Sequence, residues 1–277
     1  MTVKAFAPAK INLTLHVTGQ RDDGYHLLDS FVVFPRIGDD IEFSKSDRLN
    51  LRIEGPQAAG LSPDSDNLVV RAARSLDPKG CADILLHKRL PVAAGIGGGS
   101  ADAAATLHAL DKLWGVATPS IEDMAKLGAD VPVCYRSSST RMRGIGDHLS
   151  PLQKMPDYMG IVLVNPGVGV ATSAVFDALE TRSNSPMPDL IPEFLTAIEL
   201  CNWLKIQRND LQQPAMKIAP IIENVLCEFE DTDCLVARMS GSGATCFGLY
   251  ETEYEANSVA KLIQAEHPEW WVVNSGF

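Results

Sequence analysis

The chain has 277 residues, of which 45% are hydrophobic and 21% charged, and its formal net charge is −11. That is the balance of an ordinary folded globular protein, long enough for one large domain or two smaller ones. The negative charge argues against a partner bound through nucleic-acid phosphates, and no apolar run reaches the roughly 18 residues of a membrane span.

In chain order, Ile11, Leu13, Leu15 and Val17 alternate with Asn12, Thr14 and His16, the period of a half-buried strand. Gly19 to Gly24 reads as a turn. Phe31 to Phe34, Ile41 to Phe43 and Leu49 to Ile53 are further short strands. Asn67 is placed to cap a helix running to about Leu76, and Ile84 to Leu86 is a strand. A glycine-rich run then leads into a helix whose Leu107, Leu110, Leu113 and Trp114 share a core-facing side. A polar, serine-rich stretch covers Arg136 to Asp147, and Ile161 to Val164 is a strand ending at Asn165-Pro-Gly. Helices are expected near Ala171 to Glu180 and Ala215 to Glu230. Thr181 to Pro192 is proline- and serine-rich, and is expected as a loop or mobile flap. Leu235 to Met239 and Thr245 to Tyr250 read as strands joined by Ser240-Gly-Ser-Gly243. A helix near Glu253 to Glu266 and a strand near Trp271 to Val273 close the chain. Mixed strand and helix order predicts an α+β protein of two lobes, 1–155 and 156–277.

Four glycines fall within five positions in Gly95-Ile-Gly97-Gly98-Gly99-Ser100, and the alanine-rich start of a helix follows directly. Glycine lets backbone approach a ligand closely. A helix N-terminus offers free N–H groups and partial positive charge, so the run reads as a phosphate loop, against a plain surface turn. No Gly-Lys-Ser/Thr closes it, as a Walker loop would require, and a dinucleotide fingerprint lacks its third glycine. Lys10 suits phosphate, though alone it could be a surface charge. Asp130 precedes a proline, where it could cap a helix or take a hydroxyl proton in phosphoryl transfer. Tyr25 and His26 read either as packing and surface residues or as a platform for a flat heterocycle. Ser240 to Gly243 is either a tight hairpin or a second backbone cradle. Lys10, Lys88 and Arg141 or Arg143 are expected to concentrate positive field for anionic substrates on this acidic chain.

The six cysteines form no Cys-x-x-Cys pair and no cluster with zinc spacing, so free thiols in a reducing cytoplasm are expected and no metal ligand is assigned. The first residues lack the apolar core of a signal peptide.

Taken together the motifs form a pattern. Ala7-Pro-Ala-Lys10-Ile-Asn12-Leu13 resembles the first motif of the galactokinase, homoserine, mevalonate and phosphomevalonate (GHMP) kinase superfamily. Gly95 to Ala105 resembles its phosphate-binding motif, and Met239 to Ala244 its third. Gly19-Gln-Arg-Asp-Asp-Gly-Tyr25-His26, Leu127-Gly-Ala-Asp130-Val-Pro132 and Asn209-Asp-Leu211 followed by Pro214 are similar to the branch that acts on a diphosphocytidyl-methylerythritol. Ala94 and Ala101 depart from the pattern, standing where a glycine and a second serine are common.

The resemblance implies a two-lobed fold, with an N-terminal lobe like ribosomal protein S5 and a ferredoxin-like C-terminal lobe closing over the substrate. It implies ATP-dependent phosphorylation of the C2 hydroxyl of the methylerythritol unit, in the non-mevalonate route to isoprenoids, with Mg²⁺ accompanying the nucleotide. Asp130 and Lys10 match the catalytic pair. Pro91, Val92, Ala93, Gly95, Ile96, Gly97, Gly98, Gly99 and Ser100 match the ATP loop, and Asn67 the start of the adenine-side segment. Tyr25 and His26 match the pair that holds the cytosine, and Asn12 a polar contact to the acceptor. Homoserine- or mevalonate-type kinase activity and a non-catalytic metabolite sensor are the competing expectations.

Overall fold

A computed structural model of the chain describes residues 2–152 and 155–277. In chain order the strands are β1 (Thr2–Pro8), β2 (Ile11–Asn12), β3 (His16–Gln20), β4 (His26–Val33), β5 (Gly38–Lys45), β6 (Leu49–Glu54), β7 (Ala82–His87), β8 (Thr140–Gly144), β9 (His148–Pro151), β10 (Gly160–Asn165), β11 (Val236–Met239), β12 (Cys246–Tyr250) and β13 (Trp271–Gly276). The helices are α1 (Leu68–Leu76), α2 (Gly98–Trp114), α3 (Ile121–Leu127), α4 (Val131–Arg136), α5 (Thr172–Asp177), α6 (Ala197–Lys205), α7 (Gln212–Ile218), α8 (Ile221–Cys227) and α9 (Glu253–Glu266). Among the described residues no helix is long and apolar enough to cross a membrane.

The contacts divide the chain into two units that interleave in sequence, where the sequence suggested one cut near residue 155. The first comprises Met1–Lys10, Gly38–Val92 and Gly97–Ser137, the second Ile11–Ile37, Ala93–Ile96 and Ser138–Phe277. The segment Ile11–Ile37 joins the later one because β4 pairs with β8 from Leu28↔Gly144 to Val32↔Thr140.

The first unit is a four-stranded sheet in the order β1-β5-β7-β6, with β6 and β7 parallel and the rest antiparallel. Helix α2 packs on β1 and β5, with α1 and α4 beside it. Asn67 caps α1 as expected, its side chain accepting from the Val69 N–H at 3.0 Å. Ala101 and Ala103–Ala105 are buried with Leu107 and Leu110, so the alanine-rich turns of α2 let the helix lie close to the sheet.

The second unit holds two antiparallel sheets. One runs β2-β4-β8-β9, with β3 also on β4, and the other runs β11-β12-β10-β13, with α9 packed on its strands. A capping box opens α9, Thr252 accepting from the Glu255 N–H while Glu255 accepts from the Thr252 N–H. The core joins Val162, Val164, Ile222, Phe229, Tyr250 and Ile263.

Several expectations change. The helix expected over Ala215 to Glu230 is two helices, because Pro220 has no N–H to continue the first. The strand expected from Ile11 to Val17 is interrupted between β2 and β3, and both of its faces are buried. Asn12, Thr14 and His16 each find a partner inside, although Asn12 Oδ1 and His16 Nε2 have none: Asn12 Nδ2 donates to Ser30 Oγ at 2.7 Å, and Thr14 Oγ1 accepts from the Phe31 N–H. His16 Nδ1 lies 3.1 Å from the Ser185 carbonyl, and burial lowers the pKa of the ring. The polar stretch 136–147 contains β8, whose Arg141 is buried against Asp29 in a two-point ion pair of 2.8 and 2.7 Å.

That pair also holds the segment expected as a flap. Arg141 donates to the carbonyls of Met187, Pro188 and Asp189, and Asp29 accepts from the Met187 N–H. The Asn184 N–H donates to the Val17 carbonyl, and Arg208 to that of Ser185. The segment carries no helix or strand but is tied at both ends of its middle third.

Removing Asp29 would leave the Arg141 guanidinium buried against carbonyls alone. Asp29→Ala is expected to destabilise the protein by about 3–5 kcal/mol in urea unfolding, and to expose 184–189 to limited proteolysis. Unchanged unfolding and cleavage would show that the pair does not anchor the segment.

Candidate active site

In the first unit the chain brings together two residues 120 positions apart. Lys10 Nζ donates to Asp130 Oδ2 at 2.9 Å; the lysine side chain is 6% exposed and the carboxylate 33%. Asp130 occupies the residue before α4, yet its side chain makes no capping hydrogen bond. Pro132 near the start of α4 needs no N–H partner there, so Asp130 is left free to reach the lysine.

Gly97 precedes α2 with φ of 64°, in the left-handed region, and no side chain caps the helix. The first N–H groups of α2 therefore have neither helical nor side-chain partners. A Cβ at Gly97 would meet Lys10 Cβ at 3.2 Å, so the ammonium-bearing side chain passes directly beside the helix N-terminus. Positive φ recurs at Ala93 (52°), Gly95 (74°) and Gly97 (64°). Left-handed residues recurring along a loop are a feature of anion-binding backbone nests. Gly99 is exposed and Ser100 half-buried, while Pro91 is half-buried and Val92 and Ala93 are exposed.

Gly98 has a different task. A Cβ there would lie 3.2 Å from Lys88 Nζ. Lys88 is buried and donates to Asp39 Oδ2 at 2.5 Å and Asp102 Oδ2 at 2.7 Å. Asp39 also accepts from the N–H groups of Arg89 and Leu90. Burial works against the Lys88 charge, but the two carboxylates outweigh it and raise its pKa. Burial pushes the Asp102 carboxyl up to about 7 against the pull of Lys88, and Asp102 Oδ1 has no partner. Lys88 and Arg141, expected as part of an open positive field, are thus each neutralised inside by carboxylates, and Arg143 is the exposed one.

In the second unit, Ala93 to Ile96 lie on the turn that follows β11. Ser240 Oγ donates to the Gly95 carbonyl at 3.2 Å, and the Thr245 N–H donates to that of Ala94 at 3.2 Å. The Asn12 N–H donates to Ser240 Oγ at 3.1 Å. Asn12 is wholly buried, and its Oδ1 is without a partner. Tyr25 and His26 sit where the β3–β4 hairpin re-enters its sheet. Tyr25 is 60% exposed, and His26 stacks on Phe176 with ring centroids 4.5 Å apart. Burial, helped by Arg182, lowers the pKa of His26, which keeps the ring neutral at pH 7. Asn67, expected on the adenine side, uses both amide ends locally, capping α1 and donating to the Ser62 carbonyl.

Lys10, Asp130 and Gly97 to Ser100 are therefore neighbours in one unit, and Asn12, Gly95 and the Ser240 turn are neighbours in the other. Phe176, Asp39 and Asp29 were not singled out from the sequence, and Asp102 entered there only as a candidate Mg²⁺ ligand beside Asp130. The partners of those three lie 49 to 150 positions away, while Asp102 pairs with Lys88, 14 positions before it.

Comparison with known proteins places the chain in a family. The GHMP kinases N terminal domain model matches residues 67–149 and the GHMP kinases C terminal model residues 188–268. The chain belongs to the GHMP kinase family. It is 58% identical to 4-diphosphocytidyl-2-C-methyl-D-erythritol kinase of Ruegeria pomeroyi, over 98% of both chains, and 50% identical to that of Paracoccus denitrificans, over 98% of this chain and 95% of the relative. A crystal structure of 4-(cytidine 5′-diphospho)-2C-methyl-D-erythritol kinase superposes with a TM-score of 0.78 at 31% identity, covering 99% of this chain and 100% of that one. Within the GHMP kinases the chain falls among the 4-diphosphocytidyl-2-C-methyl-D-erythritol kinases. Homoserine kinase from Cytophaga hutchinsonii, at 17% identity and a TM-score of 0.62, over 99% of this chain and 94% of that one, shares the fold.

The raised pKa of Asp102 has a testable sign. A carboxyl titrating near 7 when folded and about 3.9 when unfolded adds stability that is present below about pH 4 and lost as pH rises through 7. Asp102→Asn keeps an acceptor for Lys88 and removes the titration. Melting temperatures from pH 5 to 9 should move in favour of the variant with rising pH; parallel curves would exclude a raised carboxyl.

Proposed function

We propose that this protein transfers the γ-phosphoryl group of ATP to the C2 hydroxyl of 4-diphosphocytidyl-2-C-methyl-D-erythritol. The observation that carries the reading is the Lys10–Asp130 pair at 2.9 Å beside the uncapped N-terminus of α2. Phosphoryl transfer is chiefly positioning and charge compensation. The N–H groups of Gly98 to Ser100 suit phosphate oxygens. Asp130 takes the proton of the acceptor hydroxyl as that oxygen bonds to phosphorus and the bond to the departing ADP oxygen breaks. Lys10 holds Asp130 in position and offsets charge on the transferring group.

The second unit supplies recognition. Tyr25, exposed on its hairpin, offers a face for the cytosine, and neutral His26 offers a hydrogen bond. Mg²⁺ is proposed to arrive on the nucleotide, with no protein ligand assigned, since Asp130 and Asp102 are each tied to a lysine. The six cysteines are free, which supports a reducing, cytoplasmic location.

Asp130→Asn keeps shape and an acceptor but cannot take a proton. Steady-state kcat is expected to fall by about two orders of magnitude or more, with ATP affinity little changed. Near-normal turnover would defeat the assignment. Tyr25→Ala removes a stacking face worth about 1–3 kcal/mol, so KM for the cytidyl acceptor should rise by ten- to hundredfold or so while KM for ATP stays put. Equal turnover of free methylerythritol and its diphosphocytidyl form would show that the base is not read.

A further inference from the structure

We propose that Asn209 is a positioning residue for the nucleotide loop, acting on it through the Ser240–Gly243 turn. The motif Asn209-Asp210-Leu211 has no part in the chemistry above. Yet Asn209 is buried, and its amide is fully used: Nδ2 donates to the Met239 carbonyl at 2.8 Å and the Gly241 carbonyl at 2.9 Å, while Oδ1 accepts from the Leu211 N–H at 3.0 Å. The orientation is dictated by its neighbours, because the flipped amide would set oxygen against two carbonyls. One side chain therefore grips the turn on both sides of Ser240.

Ser240 is the next link. Its hydroxyl donates to the Gly95 carbonyl at 3.2 Å and accepts from the Asn12 N–H at 3.1 Å. Backbone meets backbone here with no space to spare. A Cβ at Gly241 would lie 2.5 Å from the Gly95 carbonyl oxygen, and a Cβ at Gly95 would lie 2.5 Å from that of Ser240. A shift of the turn by a few tenths of an ångström must be passed to Gly95, because close-packed atoms transmit displacement. Gly95 is the middle of the three positive-φ residues of the loop, the conformation in which backbone N–H groups form anion-binding nests. Asn209 is itself fixed to the sheet side by a bridge, the Leu15 N–H donating to Arg208 and the Asp210 N–H to Leu15. Misplaced donors lose affinity for the anion they were set to bind.

The inference rests on the nucleotide reading above, and the test separates the two. ATP and ADP are titrated calorimetrically into wild type, Asn209→Ala, Ser240→Ala and the double variant. In Asn209→Ala the nucleotide Kd should rise about tenfold, and Kd for the cytidyl acceptor should stay within about twofold. Asn209→Asp should bind nucleotide worse than Asn209→Ala, because a carboxylate would face two carbonyl oxygens. The losses in the double variant should not add, since both act through one turn. If Asn209→Ala does not fold, Ser240→Ala carries the same expectation. A folded variant with a lowered melting temperature but unchanged nucleotide Kd would reduce Asn209 to a structural residue and overturn the proposal. Failure of wild type to bind ATP would instead overturn the nucleotide reading, and this inference with it.

Discussion

Two glycines face each other where neither could carry a side chain. Gly95 and Gly241 each have the other loop's backbone about 2.5 Å from the point a Cβ would occupy. This contact fixes the backbone at Gly95 and leaves it no freedom to move toward the turn. Real Cβ contacts are never that short, so a side chain at either position would force backbone apart. Both residues also have positive φ, which adds a conformational reason for glycine. The loop is thus held by the second unit at Ala93 to Ile96, while its helix belongs to the first.

Around that constraint the second unit buries an unusual amount of polarity. Asn12, Thr14, His16, Asp29, Ser30 and Arg141 are all inside. Each has at least one short partner, so the layer is specific in geometry rather than merely apolar. Its value lies in direction: Asn12 is bonded through its side chain to Ser30 and through its backbone to Ser240. Arg238 adds a buried guanidinium that donates to the carbonyls of Leu13, Leu204 and Gln207, pinning β11 to the β2–β3 connection and to the end of α6. With no carboxylate to offset burial, its pKa is lowered to about 10.

What was legible in the sequence followed from local chemistry. Asn67 as a cap, α9 from Glu253 to Glu266 and β10 ending at Asn165 are set by neighbours within a few residues, and they appear where expected. The glycine loop and its helix were legible because glycine and alanine each have a strong backbone preference. Strand β8 was not, since Arg141 reads as surface until its partner Asp29, 112 positions away, is known. Helix α6 was not read from the sequence, although Thr196 and Glu199 carry a capping signal. Asp130 could be read from sequence as a cap or as a catalytic group; its side chain makes no capping hydrogen bond and pairs instead with Lys10, 120 positions away. The resemblance to GHMP kinases could name such residues. It could not reveal that Gly98 makes space for Lys88.

The Lys88–Asp39–Asp102 cluster has a consequence for how such a chain can change over generations. One ammonium is shared by two carboxylates in a place that water does not reach. Losing either acid leaves the other geometry intact but alters the net charge under the loop, and losing the lysine strands two anions at once. Arginine is no substitute, since a planar fork cannot fit where Gly98 leaves room for a compact ammonium. A change at position 39, 88 or 102 therefore disturbs the charges that the other two were set to balance, so the three are expected to act non-additively in stability.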